Sequence, residues 1–188
     1  PFGARRRRGE LVELPDDAQA ELFRLTHRRL ADAGYHGYEV SNFARSPEHR
    51  SRHNAKYWRH APYLGLGPSA HSFDGGRRRW WSERRLAGWR AAIEAGRLPR
   101  AGGEELDRGQ LALERLMLAL RTADGVDLAE LRARYGVDLP AANGELMERL
   151  AAAGLALVER DRLRLTLDGL AVADGIAERF ELAVEGGP

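Results

Sequence analysis

The chain contains no cysteine. Disulfides are therefore excluded, and so is any zinc or iron–sulfur centre held by thiolates of this chain alone. The lack of thiols fits a reducing compartment, and a cytoplasmic location is the expectation. Lysine is nearly missing as well: Lys56 is the single one among 30 basic residues, and arginine supplies the rest. Against these stand 28 acidic residues, for a formal net charge of +2. Such balance argues against a dedicated nucleic-acid binder, which concentrates positive charge. No apolar run approaches the roughly 20 residues that span a bilayer. No initiator Met precedes Pro1-Phe2-Gly3, and no charged-then-apolar leader pattern follows, so the expectation is a truncated piece of a longer protein.

What is present has the make-up of a globular domain, with 43% hydrophobic and 31% charged residues. Arg5 to Arg8 reads as an irregular basic lead-in. Asp16 followed by Gln19 has capping-box spacing, and Ala18, Leu22, Leu25 and Leu30 form an apolar stripe that predicts a helix closed by Gly34. Tyr35 to Ser41 reads as a strand, and Tyr63 to Gly67 as a second. Between them lies a polar, aromatic-rich segment, Arg45 to His60. Asp74-Gly75-Gly76 is a turn, with Arg77 to Trp81 as the far arm of a hairpin, and residues 83–96 have helical spacing.

The texture changes at Glu104. Leu113, Leu116, Met117 and Leu120 predict a one-faced helix. Leu128 and Leu131 mark a second, Leu146 and Leu150 a third, and Leu155–Val158 with Leu163–Leu165 a β-hairpin around Arg160-Asp161. A last helix carries Leu170, Ala173, Ile176 and Phe180. Three helices, a hairpin and a closing helix spell a winged-helix-like domain.

Four strings stand in a telling order: Gly34-Tyr35 with Tyr38-Glu39-Val40-Ser41-Asn42-Phe43-Ala44; His53-Asn54-Ala55-Lys56-Tyr57-Trp58; Tyr63-Leu64-Gly65-Leu66-Gly67-Pro68-Ser69-Ala70-His71-Ser72; and Leu165-Thr166-Leu167-Asp168-Gly169. Together they resemble HemW-type radical-SAM proteins of the oxygen-independent coproporphyrinogen III oxidase-like family. The resemblance covers nearly the whole chain. It implies an α/β fold: the end of a partial (β/α) radical-SAM barrel with a connecting hairpin and helix over residues 1–96, a linker at 97–103, and a winged-helix-like domain over 104–188. It also implies a missing half, whose CxxxCxxC loop binds a [4Fe–4S] cluster and S-adenosylmethionine. The intact protein would be a haem chaperone, with haem or porphyrin and haem-accepting respiratory proteins as partners. The alternative is oxidative decarboxylation of coproporphyrinogen in porphyrin biosynthesis. Many members carry cysteine where this chain has Ser51, so a thiolate ligand from that spot is excluded.

Haem needs an axial imidazole, flat aromatic surface and cations for its propionates. His53 offers the first and is the expected metal ligand; Tyr57 and Trp58 offer the second; Arg50, Arg52, Lys56 and Arg59 offer the third, with Asn54 beside them. If the segment is helical, His53 and Tyr57 share a face. The competing reading has His53 and Asn54 tying down a loop while Trp58 fills core. In the next string Gly67 and Ser69 could meet S-adenosylmethionine through exposed backbone, and the position matching His71 contacts it in the related oxidase; the competing reading is tight packing by the glycines. Glu39 reads as a buried, paired carboxylate, and Trp80 and Trp81 as cation–π partners of neighbouring arginines. A rival of another class, a winged-helix DNA-binding module, is weakened because residues 140–153 present Glu145 and Glu148 with only Arg149.

Overall fold

Seventeen consecutive residues near the N-terminus form a helix with no fully buried side chain. This is α2, Asp16–Asp32, in a computed structural model that describes residues 2–183. It follows α1, Phe2–Arg7, so the arginine run expected to be irregular is helical, with Arg6 paired to Glu13 at 3.2 Å and Arg8 to Glu10 at 2.6 Å. Extended Pro15 occupies the N-cap of α2, which displaces the expected Asp16 cap; Gln19 instead donates to the Leu14 carbonyl at 2.7 Å. Gly34, at φ 80°, closes the helix as expected, with the Tyr35 amide reaching the Leu30 carbonyl at 2.8 Å.

The strand expected over Tyr35 to Ser41 shrinks to β1, His36–Gly37, paired with β2, Phe43–Ala44. Its remainder finds other partners. The Ala123 amide donates to the Tyr38 carbonyl at 3.1 Å, and the Val40 amide to the Arg121 carbonyl at 3.0 Å. The backbone polar groups are satisfied by a turn of the C-terminal domain instead of a neighbouring strand. After α3, Arg52–Trp58, the Tyr63 to Gly67 segment pairs only through the Tyr63–Phe73 bridge. Then come β3, His71–Phe73, β4, Arg78–Ser82, α4, Leu86–Glu94, and β5, Arg100–Glu105. They form an antiparallel sheet in the order β3-β4-β5. Residues 97–103, expected as a linker, therefore run into a strand. Gly102 and Gly103 suit that strand because a Cβ at Gly102 would come within 2.7 Å of the Trp81 ring, and one at Gly103 within 3.2 Å of the Trp80 Cβ.

The remaining elements are α5, Arg108–Leu120; β6, Val126–Asp127; α6, Leu128–Tyr135; α7, Leu139–Ala152; β7, Ala156–Glu159; β8, Arg162–Leu165; α8, Leu167–Leu170; and α9, Ala173–Ala177. Helix starts are capped by Asp107, in a full capping box with Gln110, and by Asp127, Asp138 and Thr166. The sheet order β6-β8-β7 beneath three helices matches the winged-helix-like expectation. Within α5 the buried face is Leu111, Ala112, Leu116, Ala119 and Leu120, while Leu113 is 42% exposed, so the face is rotated from the one the leucine spacing suggested. Of the largest fully buried side chains, all but Phe73 lie between Leu116 and Leu163. The core sits in the C-terminal half, and the N-terminal half leans on it. The architecture as a whole is mixed α/β. Residues 184–188, the end of the expected C-terminal domain, lie outside the described residues.

Candidate functional site

Ser51 starts α3. Its hydroxyl accepts the Asn54 amide at 3.2 Å, and its own amide donates to the buried Tyr38 hydroxyl at 3.1 Å. Ser51 is thus a helix cap here. Two residues on, His53 is exposed, with its ring edge-on to Tyr57 at 5.1 Å. Tyr57 in turn meets Tyr63 at 4.7 Å, and the Lys56 ammonium stands 5.2 Å from the Tyr57 ring. His53, Tyr57 and Lys56 are therefore brought together.

Trp58 is not with them. At 100° per residue it points well away from His53, into a separate polar cleft of about 300 Å³ lined by Arg50, Arg59, Arg115 and Arg162. There its indole N–H is buried and donates to no protein group, while its carbonyl accepts from Arg115 at 3.3 Å. Arg50 also turns to this side, pairing with Asp124 at 3.4 Å. Asn54 is half-buried and is tied to the cap through its backbone. The expected flat surface is thus the Tyr57–Tyr63 side alone, and the Trp58 face is a different environment.

Sequence reasoning missed His60. It ends α3 with a left-handed φ of 54° and is only 5% exposed. Its ring stacks on Phe73 at 4.7 Å; Nδ1 lies 3.1 Å from the Tyr135 hydroxyl, and Nε2 lies 3.3 Å from a Glu114 oxygen without hydrogen-bond alignment. Arg79 grips Glu114 through two bonds, at 2.9 and 2.5 Å. Burial pushes the His60 pKa down, partly opposed by the Glu114 carboxylate. Burial likewise raises the Tyr63 and Tyr135 phenols. The cluster borders a cavity of about 320 Å³ lined by Tyr57, Tyr63, Phe73, Met117 and Arg121. The available signal was a histidine at the C′ position of a helix, where glycine is usual.

In the Gly65–His71 string, Gly65 is needed for packing: a Cβ there would overlap the His71 carbonyl oxygen. Gly67 differs, with φ 105° and open space around it, and lines a groove of about 590 Å³ with Leu64, Leu66, Trp80 and Trp89. Ser69 has φ 60°; its amide donates to Glu83 at 2.9 Å, and its hydroxyl to Arg84 at 3.4 Å. Both of its donors are thereby occupied. His71 is exposed on β3, 5.8 Å from the Trp81 ring. Gly67 and His71 do not line one cavity. Glu39 is buried and accepts from the Ser41 amide at 3.1 Å, in keeping with a structural carboxylate. Trp80 receives the Arg100 guanidinium at 5.9 Å. On α7, Arg149 is occupied by Glu145 at 3.3 Å.

Among the described residues no cluster of three His, Asp or Glu side chains could hold a metal ion, and no helix is long and apolar enough to cross a membrane. A single exposed imidazole beside an aromatic ring fits one axial position of a haem. With no thiolate in the chain, nothing here fits a [4Fe–4S] cluster.

Residues 106–172 match the HemN C-terminal domain family. The heme chaperone HemW of Mycobacterium tuberculosis is 38% identical over 170 residues, which are 90% of this chain and 41% of that protein. The mouse mitochondrial radical S-adenosyl methionine domain-containing protein 1 is 33% identical over 190 residues, 89% of this chain and 40% of its own. The chain thus spans about two fifths of the length of these relatives. Among solved structures, the Escherichia coli coproporphyrinogen III oxidase HemN, a radical SAM enzyme, superposes with a TM-score of 0.56 at 15% identity, covering 82% of this chain and 39% of the other. That likeness is one of fold.

Proposed function

This chain belongs to the HemW-type, HemN-like family, and on that premise we propose that it is the haem-handling C-terminal part of a radical-SAM haem chaperone. The observation that carries the reading is the exposed His53 imidazole held at a defined angle to Tyr57 on a capped helix. A neutral imidazole nitrogen is an axial ligand for haem iron, and the adjoining Tyr57–Tyr63 pair offers aromatic surface to a porphyrin face. Lys56, with exposed Arg52, supplies cations for propionates. A single protein ligand at an exposed site suits a protein that hands its cargo on, because the sixth position stays open to an acceptor. Haem-accepting respiratory proteins in the cytoplasm or at its membrane face are the partners this reading calls for.

S-adenosylmethionine belongs to the intact protein in this reading. Gly67 would face it across the open groove, with His71 at the neighbouring strand; the occupied donors of Ser69 argue for a packing role there. The cluster would be held by thiolates from outside this chain.

The test is haemin titration of the 188-residue protein. Wild type should give a Soret band of imidazole-ligated haem. His53→Ala should lose or shift that band with its melting temperature unchanged, while His71→Ala should leave it in place. An unaltered spectrum and affinity in well-folded His53→Ala would overturn the assignment.

A further inference from the structure

We infer that His60 is a positioning residue: lodged between Tyr135 and Glu114, it locks α3, and with it the His53–Tyr57 face, onto α5 and α6, and its protonation releases that lock. The consequence for haem rests on the proposed role of His53; the lock itself does not.

The backbone gives the first argument. His60 has φ 54°, a region that L-residues avoid and that a helix end normally fills with glycine. Here the Ala61 amide closes the turn on the Lys56 carbonyl at 2.9 Å, so the left-handed conformation is built in. A side chain at this point is a cost unless its contacts offset it.

Those contacts are the second argument. The ring is sandwiched where four parts of the fold meet: it stacks on Phe73 of β3 and reaches Tyr135 of α6 and Glu114 of α5, beside Arg79 of β4. Together with the Arg115 bond to the Trp58 carbonyl, it ties the C-terminal end of α3 to the core.

Neutral His60 can accept from the Tyr135 hydroxyl at Nδ1 and turn Nε2–H toward Glu114. The imidazolium carries a proton on both nitrogens, so Tyr135 would have to reverse its bond. The charged groups facing the ring are Glu114, whose two oxygens each already accept one bond from Arg79, and the two cations Arg79 and Arg134. Burial raises the nearby Tyr63 phenol, so it adds no charge beside the ring. The ring is buried, so charging it is disfavoured. The sign follows. A histidine lowered in the docked state takes up its proton more readily when undocked. The lock is at full strength above the ordinary histidine value of about 6.5 and weakens as pH falls below it.

The experiment is amide hydrogen exchange on the full chain at pH 7.5 and 5.5, corrected for intrinsic rates, comparing residues 54–61 with α5. Wild type should lose protection in α3 on acidification, by up to about tenfold because pH 5.5 lies about one unit below the ordinary histidine value, while α5 holds. His60→Phe keeps the stack on Phe73 and cannot titrate, so its α3 protection should be independent of pH. His60→Gly relieves the backbone but removes the ring, and should leave α3 poorly protected at both pH values; a purely local role predicts equal or better protection. A ¹⁵N titration of the His60 ring should share its midpoint with the exchange change. An α3 that is indifferent to pH in wild type, or an equal drop in His60→Phe, would overturn the lock. Failure of His53→Ala to alter haem binding would leave the exchange results standing, so the two ideas fail separately.

Discussion

Gly169→Ala should destabilise the C-terminal domain, although replacing a helical glycine by alanine ordinarily stabilises. Gly169 lies in α8 and is buried; a Cβ built there overlaps the Leu155 carbonyl oxygen and comes within 3.2 Å of the Leu165 Cβ. The overlapping atom is backbone at the start of β7 and has little freedom to yield, since the Leu155 carbonyl also accepts the Thr166 amide at 3.0 Å. Forcing a methyl into such a place costs about 1–3 kcal/mol. The intrinsic gain of alanine over glycine offsets about 0.5–1 kcal/mol of that. The net loss is centred on about 1 kcal/mol (range about 0–2.5), and each 1 kcal/mol lowers the melting temperature of a domain of this size by roughly 4–8 °C. Gly175 is the internal control. It is exposed in α9 with nothing within 4 Å of its Cβ position, so Gly175→Ala should raise stability by about 0.4–1 kcal/mol. Urea melts of both variants followed by far-ultraviolet circular dichroism give the two signs directly. A Gly169→Ala protein as stable as wild type, or both glycines shifting in the same direction, would refute the reasoning from space.

Ser51→Ala removes the cap of α3 and should cost about 1 kcal/mol, read as faster exchange of the Asn54 amide with the C-terminal domain unaffected. Asn143 holds the kink of α7 to the tail, donating to the Leu139 and Glu181 carbonyls and accepting the Glu181 amide at 2.8 Å. Asn143→Ala should therefore cost about 1–3 kcal/mol, since the buried Leu139 carbonyl and the two backbone groups of exposed Glu181 lose their partner; a melt within about 0.5 kcal/mol of wild type would count against it. Trypsin should nick the exposed Arg97–Leu98 bond, yet the two pieces should co-elute until urea is added, because residues 38–40 bond to the 121–123 turn and β4 to β5. Separation without denaturant would show that this docking is weak. Anaerobic iron–sulfide reconstitution should yield no cluster absorbance, as the chain has no thiolate.

By itself the sequence determined the helices whose ends are chemically marked. Gly34 ends α2, and Leu128 with Leu131 and Leu146 with Leu150 fall in α6 and α7; each signal lies within a few positions, so a local reading finds them. It also determined that His53 and Tyr57 would meet, because four residues along a helix is a fixed geometry. The ordered motifs pointed to the family for the same reason: they are local strings. Tertiary structure decided the rest. Residues 97–103 read as a linker until Trp80 and Trp81 pair with Gly103 and Gly102 across the sheet. Trp58 reads as part of the His53 surface until α5 draws its end of the helix to the opposite side, with the Trp58 carbonyl bound by Arg115. His60 reads as one more polar residue until Phe73, Glu114 and Tyr135, from 13 to 75 positions away, close around it. Caps and periodicity are short-range hydrogen bonding and sterics, written in adjacent residues. Burial, and the charge state it imposes on a histidine, depends on which distant side chains displace water, and only the folded chain brings those together.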